Sequence, residues 1–135
     1  MKELHSSIKY VRGLSPVVAT DNTALTTEII DTLGMQTAEF VIATGTLADA
    51  DATFTVSVAH GNNSALSDTE ATPDSDLIGT EAAASFTFAA DNVTRKIGYK
   101  CTKRYVQLTI TPANNTGNAP LAVVVAMVPR HQPAA

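Results

Sequence analysis

Thr53-Phe54-Thr55-Val56-Ser57-Val58 alternates polar and apolar side chains without a break. Successive side chains of an extended strand point to opposite faces. Phe54, Val56 and Val58 therefore turn to a core, and Thr53, Thr55 and Ser57 turn to water. Tyr105-Val106-Gln107-Leu108-Thr109-Ile110-Thr111 repeats the pattern with Val106, Leu108 and Ile110 inward. Ser85-Phe86-Thr87-Phe88 is a shorter copy, and Glu39-Phe40-Val41-Ile42-Ala43 is a strand more apolar on both faces. The β-branched Thr and Val that fill these runs pack well on a pleated surface.

Turn chemistry separates the runs. Gly45 to Asp51, His60-Gly61-Asn62-Asn63, Asp91-Asn92 and the Pro112 to Pro120 stretch all carry the residues that turns favour. Short strands at such spacing predict an all-β antiparallel β-sandwich, jelly-roll-like, of about eight strands. One long polar loop is expected at 62–76, functional or mobile. Lys100 to Lys103 reads as a short hairpin connection. On that reading Tyr99 shares the core face with Ile97 on one strand, and Tyr105 faces outward with Gln107 on the next.

The last run, Leu121 to Val128, is different. Leu121, Val123, Val125 and Met127 fall on one face, and Ala122, Val124, Ala126 and Val128 on the other. A strand apolar on both faces fits the middle of a sandwich, the favoured reading for most of its length, or a subunit interface. Toward the N-terminus, Ile8 with Tyr10 and Pro16 to Thr20 read as two edge strands, and Glu28 to Asp31 as a third. A short helix from Thr23 to Thr32 is a weaker alternative, since Thr lowers helix propensity. The whole, 1–135, reads as a single domain with extended arms at 1–15 and 129–135.

The chain is 44% hydrophobic but only 16% charged, so Thr, Ser and Asn must supply much of its polar surface. No stretch approaches the ~18 apolar residues of a membrane span, and Met1 to Lys9 lacks the apolar centre of a signal peptide. A soluble protein made in a cytoplasm is the expectation. Net charge is −4, from 9 bases and 13 acids, but the placing is uneven. No Lys or Arg lies between Arg12 and Arg95, a stretch holding every acid but Glu3. Arg95, Lys96, Lys100, Lys103 and Arg104 then follow without an acid among them. They could face acidic loops of the same domain, dock on an acidic partner, or bind nucleic acid. An acidic chain without interleaved exposed aromatics fits the last poorly.

A search for chemistry returns little. Cys101 is the single cysteine and reads as a small buried hydrophobe. His5, His60 and His131 have no metal-ligand spacing among themselves or with Cys101. His60, Ser64 and Asp68 could be drawn as a triad, but they share one loop with no nucleophile elbow. Asp49-Ala50-Asp51 and Asp74-Ser75-Asp76 could feed a calcium site, yet the EF-hand pattern is missing and solvated turns are the plainer reading. The chain reads as non-enzymatic, with no catalytic residues, cofactor or metal.

Several segments carry a resemblance. Leu14-Ser15-Pro16-Val17 leads to a turn at Asp21-Asn22, and an apolar strand runs from Phe40 to Ala43. Phe54 to Val58 runs into a polar loop at His60 to Asp68. Ile97-Gly98-Tyr99 precedes Lys103-Arg104-Tyr105-Val106, and a Val/Ala-rich strand, Ala122 to Pro129, leads to His131. In this layout, over nearly its whole length, the chain resembles the small β-rich structural proteins of tailed phages and prophages. The motifs are structural, and none is catalytic. The resemblance implies a virion component made in the bacterial host cytoplasm. It implies a capsid decoration or head-stabilising protein that binds the major capsid protein and forms a homo-oligomer. No nucleic acid or membrane partner is implied. Candidate partner contacts are Arg95, Lys96, Lys100, Lys103, Arg104 and Tyr105, with the two arms. A tail, connector or fibre component is an alternative, as is a glycan-binding β-sandwich module, which the aromatic content of 5% disfavours.

Overall fold

The computed structural model describes residues 3–130. In chain order the strands are β1 (Lys9–Ala19), β2 (Leu25–Thr26), β3 (Ile30–Asp31), β4 (Met35–Thr44), β5 (Thr53–Gly61), β6 (Glu70–Ala71), β7 (Leu77–Ile78), β8 (Phe86–Thr87), β9 (Thr94–Tyr99), β10 (Tyr105–Ala113) and β11 (Ala119–Pro129). A one-turn helix, α1 (Glu81–Ala84), precedes β8. One sheet runs β1-β11-β4-β9-β7. The other runs β2-β10-β5-β6, with β3 also on β10 and β8 also on β5. Every pairing is antiparallel.

Eleven strands stand where about eight were expected, because two edge strands are broken. β2 and β3 meet successive parts of β10, at Thr109/Ile110 and at Tyr105/Val106. Between them the Thr27 hydroxyl accepts from Leu108 N at 3.1 Å, and Thr27 N donates to Leu108 O at 2.9 Å. A side chain thus stands in for a missing ladder bond. β6 and β8 likewise meet the two ends of β5. The chain leaves that edge between them, and its side chains return to it. Ser85 Oγ accepts from Val56 N at 2.9 Å, and Glu81 Oε2 accepts from Val58 N at 2.7 Å. With each broken strand counted once, the orders become first-eighth-third-sixth and second-seventh-fourth-fifth, with β7 added at one edge. Two interleaved Greek keys of this kind make a jelly roll. Replacing Thr27 by Val strips Leu108 N of its acceptor, and the expected cost is about 1–2 kcal/mol by urea denaturation.

The inward faces meet as read from the alternation. Phe40, Ile42, Phe54, Val56, Ile97, Tyr99, Val106, Leu108, Ile110, Val123 and Val125 are all buried. Each large apolar side chain withdrawn from water stabilises by about 1.5–3 kcal/mol before entropy is counted. Phe88 departs from its strand pattern and is exposed, because β8 ends at Thr87.

Several expectations are corrected. The two N-terminal edge strands are one, β1, which pairs with β11 from Lys9↔Met127 to Ala19↔Ala119 across two register shifts, one between Arg12 and Leu14 and one between Leu14 and Val17. Residues 9–15 are therefore sheet and not a free arm. Pro129 ends β11, and Arg130 N bonds Gly34 O at 2.9 Å; residues 131–135, with His131, lie outside the described residues, as do 1–2. The 23–32 stretch holds β2 and β3 and no helix. The polar loop at 62–76 is a tied turn followed by β6: Asp68 accepts from Asn62 N at 2.9 Å and Asn63 N at 3.1 Å. Finally, β9 and β10 are not a hairpin. They lie in different sheets, and residues 100–104 arch from one to the other. A five-residue connection fits either geometry. The core demands of Tyr99 and Val106 on opposite sheets decide it.

Candidate protein-binding face

The arch is held by Tyr99. Its hydroxyl, wholly buried, accepts from Lys103 N at 2.9 Å and lies 2.8 Å from His60 Nδ1 on the opposite sheet. The hydroxyl has one proton, and both His60 Nδ1 and Lys103 O, the latter at 3.2 Å, lie within its reach. Nε2 faces Glu70 Oε1 at 3.4 Å, without the geometry of a conventional hydrogen bond. Lys103 Nζ also pairs with Glu70 Oε1, closing a ring back to the arch. Lys103 holds the Glu70 carboxyl below its ordinary range, chiefly through this hydrogen bond. Burial pushes the Tyr99 hydroxyl up. A buried histidine and a buried tyrosine thus meet across the two sheets and join them, with the exposed Glu70 beside them at the surface.

The structure divides the six candidate contact residues. Lys103 is engaged with Glu70, and Arg104 grips Asp31 through two nitrogens at 2.9 Å each. Arg104 also stacks over the half-buried Tyr105 ring at 5.0 Å. Arg95 follows the inner parity of β9 and donates to Ala83 O of α1 at 3.3 Å. Lys96 lies on the opposite, outer face, 3.9 Å from Glu39. Lys100 is exposed on the arch. The run of bases in sequence is therefore not one patch in space, and three of its members face acids of their own domain.

The other candidate chemistry does not assemble. Asp68 serves the turn beside it, accepting from the backbone of Asn62 and Asn63. Asp49 bonds Thr116 N and Oγ1 with one oxygen and Asp51 N with the other. Cys101 sits at φ +57° on the arch, half-buried, and burial pushes its thiol up, away from the reactive thiolate. Asp31, Asp49 and Asp68 are all held below the ordinary range, first by hydrogen bonds from Arg104, Thr116 and Asn62 respectively. A carboxyl with a lowered native pKa stabilises fully above its unfolded value and loses that contribution as pH falls through the native one. Urea midpoints should be flat from about pH 7 to 5 and decline below about pH 4. Asp49→Asn should shallow that decline.

The informative contrast is between the two outer faces. On the six-stranded sheet the outward residues form cross-strand rows of Thr26-Thr109-Ser57, Thr111-Thr55 and Ala113-Thr53-Thr87, with Asp31-Tyr105-Gly61 and Gln107-Ala59-Ala71 toward the other end. On the five-stranded sheet the rows are Tyr10-Ala126-Glu39-Gly98, Arg12-Val124-Val41-Lys96 and Ala122-Ala43-Thr94. Apart from Glu39 on β4, which lies 3.9 Å from Lys96, the middle strands β11 and β4 offer only Ala and Val in these rows, and Arg12 at the margin pairs with Glu28. Tyr10 is 55% exposed and Val124 44%. At one end the face continues into an apolar groove of about 370 Å³ lined by Val17, Val18, Ala43, Pro120 and Ala122. Gly45 forms part of the groove lining because a Cβ there would come within 2.9 Å of Pro120. Ile78 lies over Gly98 at the far margin, again where a Cβ would collide, at 2.8 Å.

This face corrects the reading of the last strand. β11 lies in the middle of its sheet, but Ala122, Val124, Ala126 and Val128 turn outward and stay at least partly accessible. The double apolar parity of 121–128 was the signal, and its outward set is the half that the core does not bury. Tyr10, Val18, Val41 and Ala43 gave no separate signal, because they join the patch only through strand pairing.

No family model and no curated protein matches the chain. Among solved structures, the whole chain is similar to PBSX exported protein XepA, with a TM-score of 0.58 and 9% identity; it spans 41% of that protein's length. SPBc2 prophage-derived protein YomS aligns over 88% of this chain and 92% of its own, at a TM-score of 0.45 and 10% identity. The CBM22-1-GH10 modules of xylanase 10B from Clostridium thermocellum align over 76% of this chain and 18% of theirs, at 0.43 and 16% identity. Of these, the likeness to XepA exceeds one half, and at 9% identity what it shares is the fold.

Proposed function

We propose that this chain is a non-catalytic structural component of a phage particle, decorating or stabilising the capsid by binding the major capsid protein. The observation that carries the reading is the contrast of outer faces. A sandwich that covers one sheet with Thr and Ser and leaves Ala and Val open on the other is built to be covered there by protein. The sequence motifs resemble phage structural proteins, and the fold is shared with a PBSX exported protein. The buried His60–Tyr99 pair, with Glu70 at the surface beside it, joins the two sheets, which suits a body that binds and does not react. Lys100, exposed on the arch, remains available for an acidic neighbour. The chain belongs in the virion on this reading, with its contacts repeated over a symmetric lattice so that each need only be weak.

The test is to purify particles with and without the gene. The chain should copurify with heads in a fixed ratio to the major capsid protein, and its loss should make heads more fragile to heat. Its consistent absence from purified particles, or its presence only on tails, would sink the capsid reading.

A further inference from the structure

We infer that the apolar outer face of the five-stranded sheet is covered by the same face of a second copy of this chain. The inference rests on the structural, protein-binding reading above and names the occupant of its face. Charge is the first argument. The chain is net −4, so two copies repel over most approaches. On this face Arg12 and Lys96 balance Glu28 and Glu39, so it carries no net charge although Glu39 stands on the middle strand β4. Two such faces meet without net repulsion, and a two-fold axis needs that self-match.

Shape is the second. Ala122, Ala126 and Ala43 alternate with Val124 and Val41 across paired strands, so small and larger side chains sit side by side. Sheets pack by interdigitating such rows at about 10 Å. Area is the third. The rows cross four strands of 11, 11, 10 and 6 residues, which at about 3.3 Å per residue and about 4.8 Å between strands bury on the order of 1,200 Å² over two faces. That lies at the lower end of the range for stable specific interfaces, about 1,200–2,000 Å².

Sedimentation velocity of the full chain over a hundredfold range of concentration tests this. The wild type should sediment as a dimer at the upper end and dissociate on dilution. Val124→Lys should remain folded by circular dichroism and sediment as a monomer. Thr55→Lys, on the opposite outer face, should remain a dimer. Should Val124→Lys fail to fold, Val124→Thr keeps the shape and must weaken the dimer at least several-fold. A wild type monomeric at every concentration overturns the inference, and so does a folded Val124→Lys that still dimerises. A monomer that enters heads defeats this inference alone, and a dimer never found in particles defeats the virion reading alone.

Discussion

Phe54→Ala is expected to cost about 3–5 kcal/mol, the largest effect of any single truncation considered for this chain. Phe54 is 1% exposed and lies flat against Phe86, with ring centroids 4.9 Å apart and planes 15° from parallel. β5 holds Phe54 between β10 on one side and β8 on the other, so neither neighbour can collapse freely into the space left behind. The ring contact itself adds about 0.5–1.5 kcal/mol beyond area. For a domain near this size each kcal/mol moves the melting temperature by about 2–6 °C, so a drop of more than about 10 °C is expected by calorimetry. Thr55→Ala makes the comparison, since it trims an exposed side chain on the opposite outer face and should change the melting temperature little. Equal losses in the two variants would contradict the placement of the core.

Tyr99→Phe should come next, although it removes one atom. The hydroxyl serves both Lys103 N and His60 Nδ1. Phenylalanine fills the same space and leaves both groups without that partner. An orphaned buried polar group costs about 1–3 kcal/mol, so the two together should exceed the loss from Thr27→Val. The pattern matters as much as the size. If Tyr99 locks the arch, hydrogen exchange in Tyr99→Phe should accelerate at residues 100–104 and at His60, with β1 and β11 unchanged. Uniform acceleration would mean that the hydroxyl contributes to global stability and not to the join between sheets.

How far the sequence could be read follows from which interactions are local. Alternation at 54–58, 106–110 and 121–127 located strands and inward faces, because parity is a property of neighbouring residues. The breaks at 27–29 and 72–85 were hidden. The ladder there is completed by Thr27, Glu81 and Ser85, side chains that find their partners only after the sheets exist. The arch at 100–104 looked like a hairpin for a related reason: a short polar connection does not say whether its strands share a sheet. The basic run was visible, but its partners Glu70 and Asp31 lie 33 and 73 residues away from Lys103 and Arg104. As for the binding face, composition showed that the last strand was apolar both ways. It could not show that Tyr10, Val41 and Ala43 would stand beside it.

The position of β11 bears on how the molecule is made. The final long strand in the chain occupies the interior of its sheet, flanked by the opening strand β1 on one side and β4 on the other. During synthesis β1 therefore waits, with its pairing edge open, for nearly every other described residue to emerge. Such long-range closure slows folding and leaves a sticky intermediate. Fragments ending before residue 119 should accumulate in aggregates when expressed, while a chain that includes β11 settles into the closed sheet.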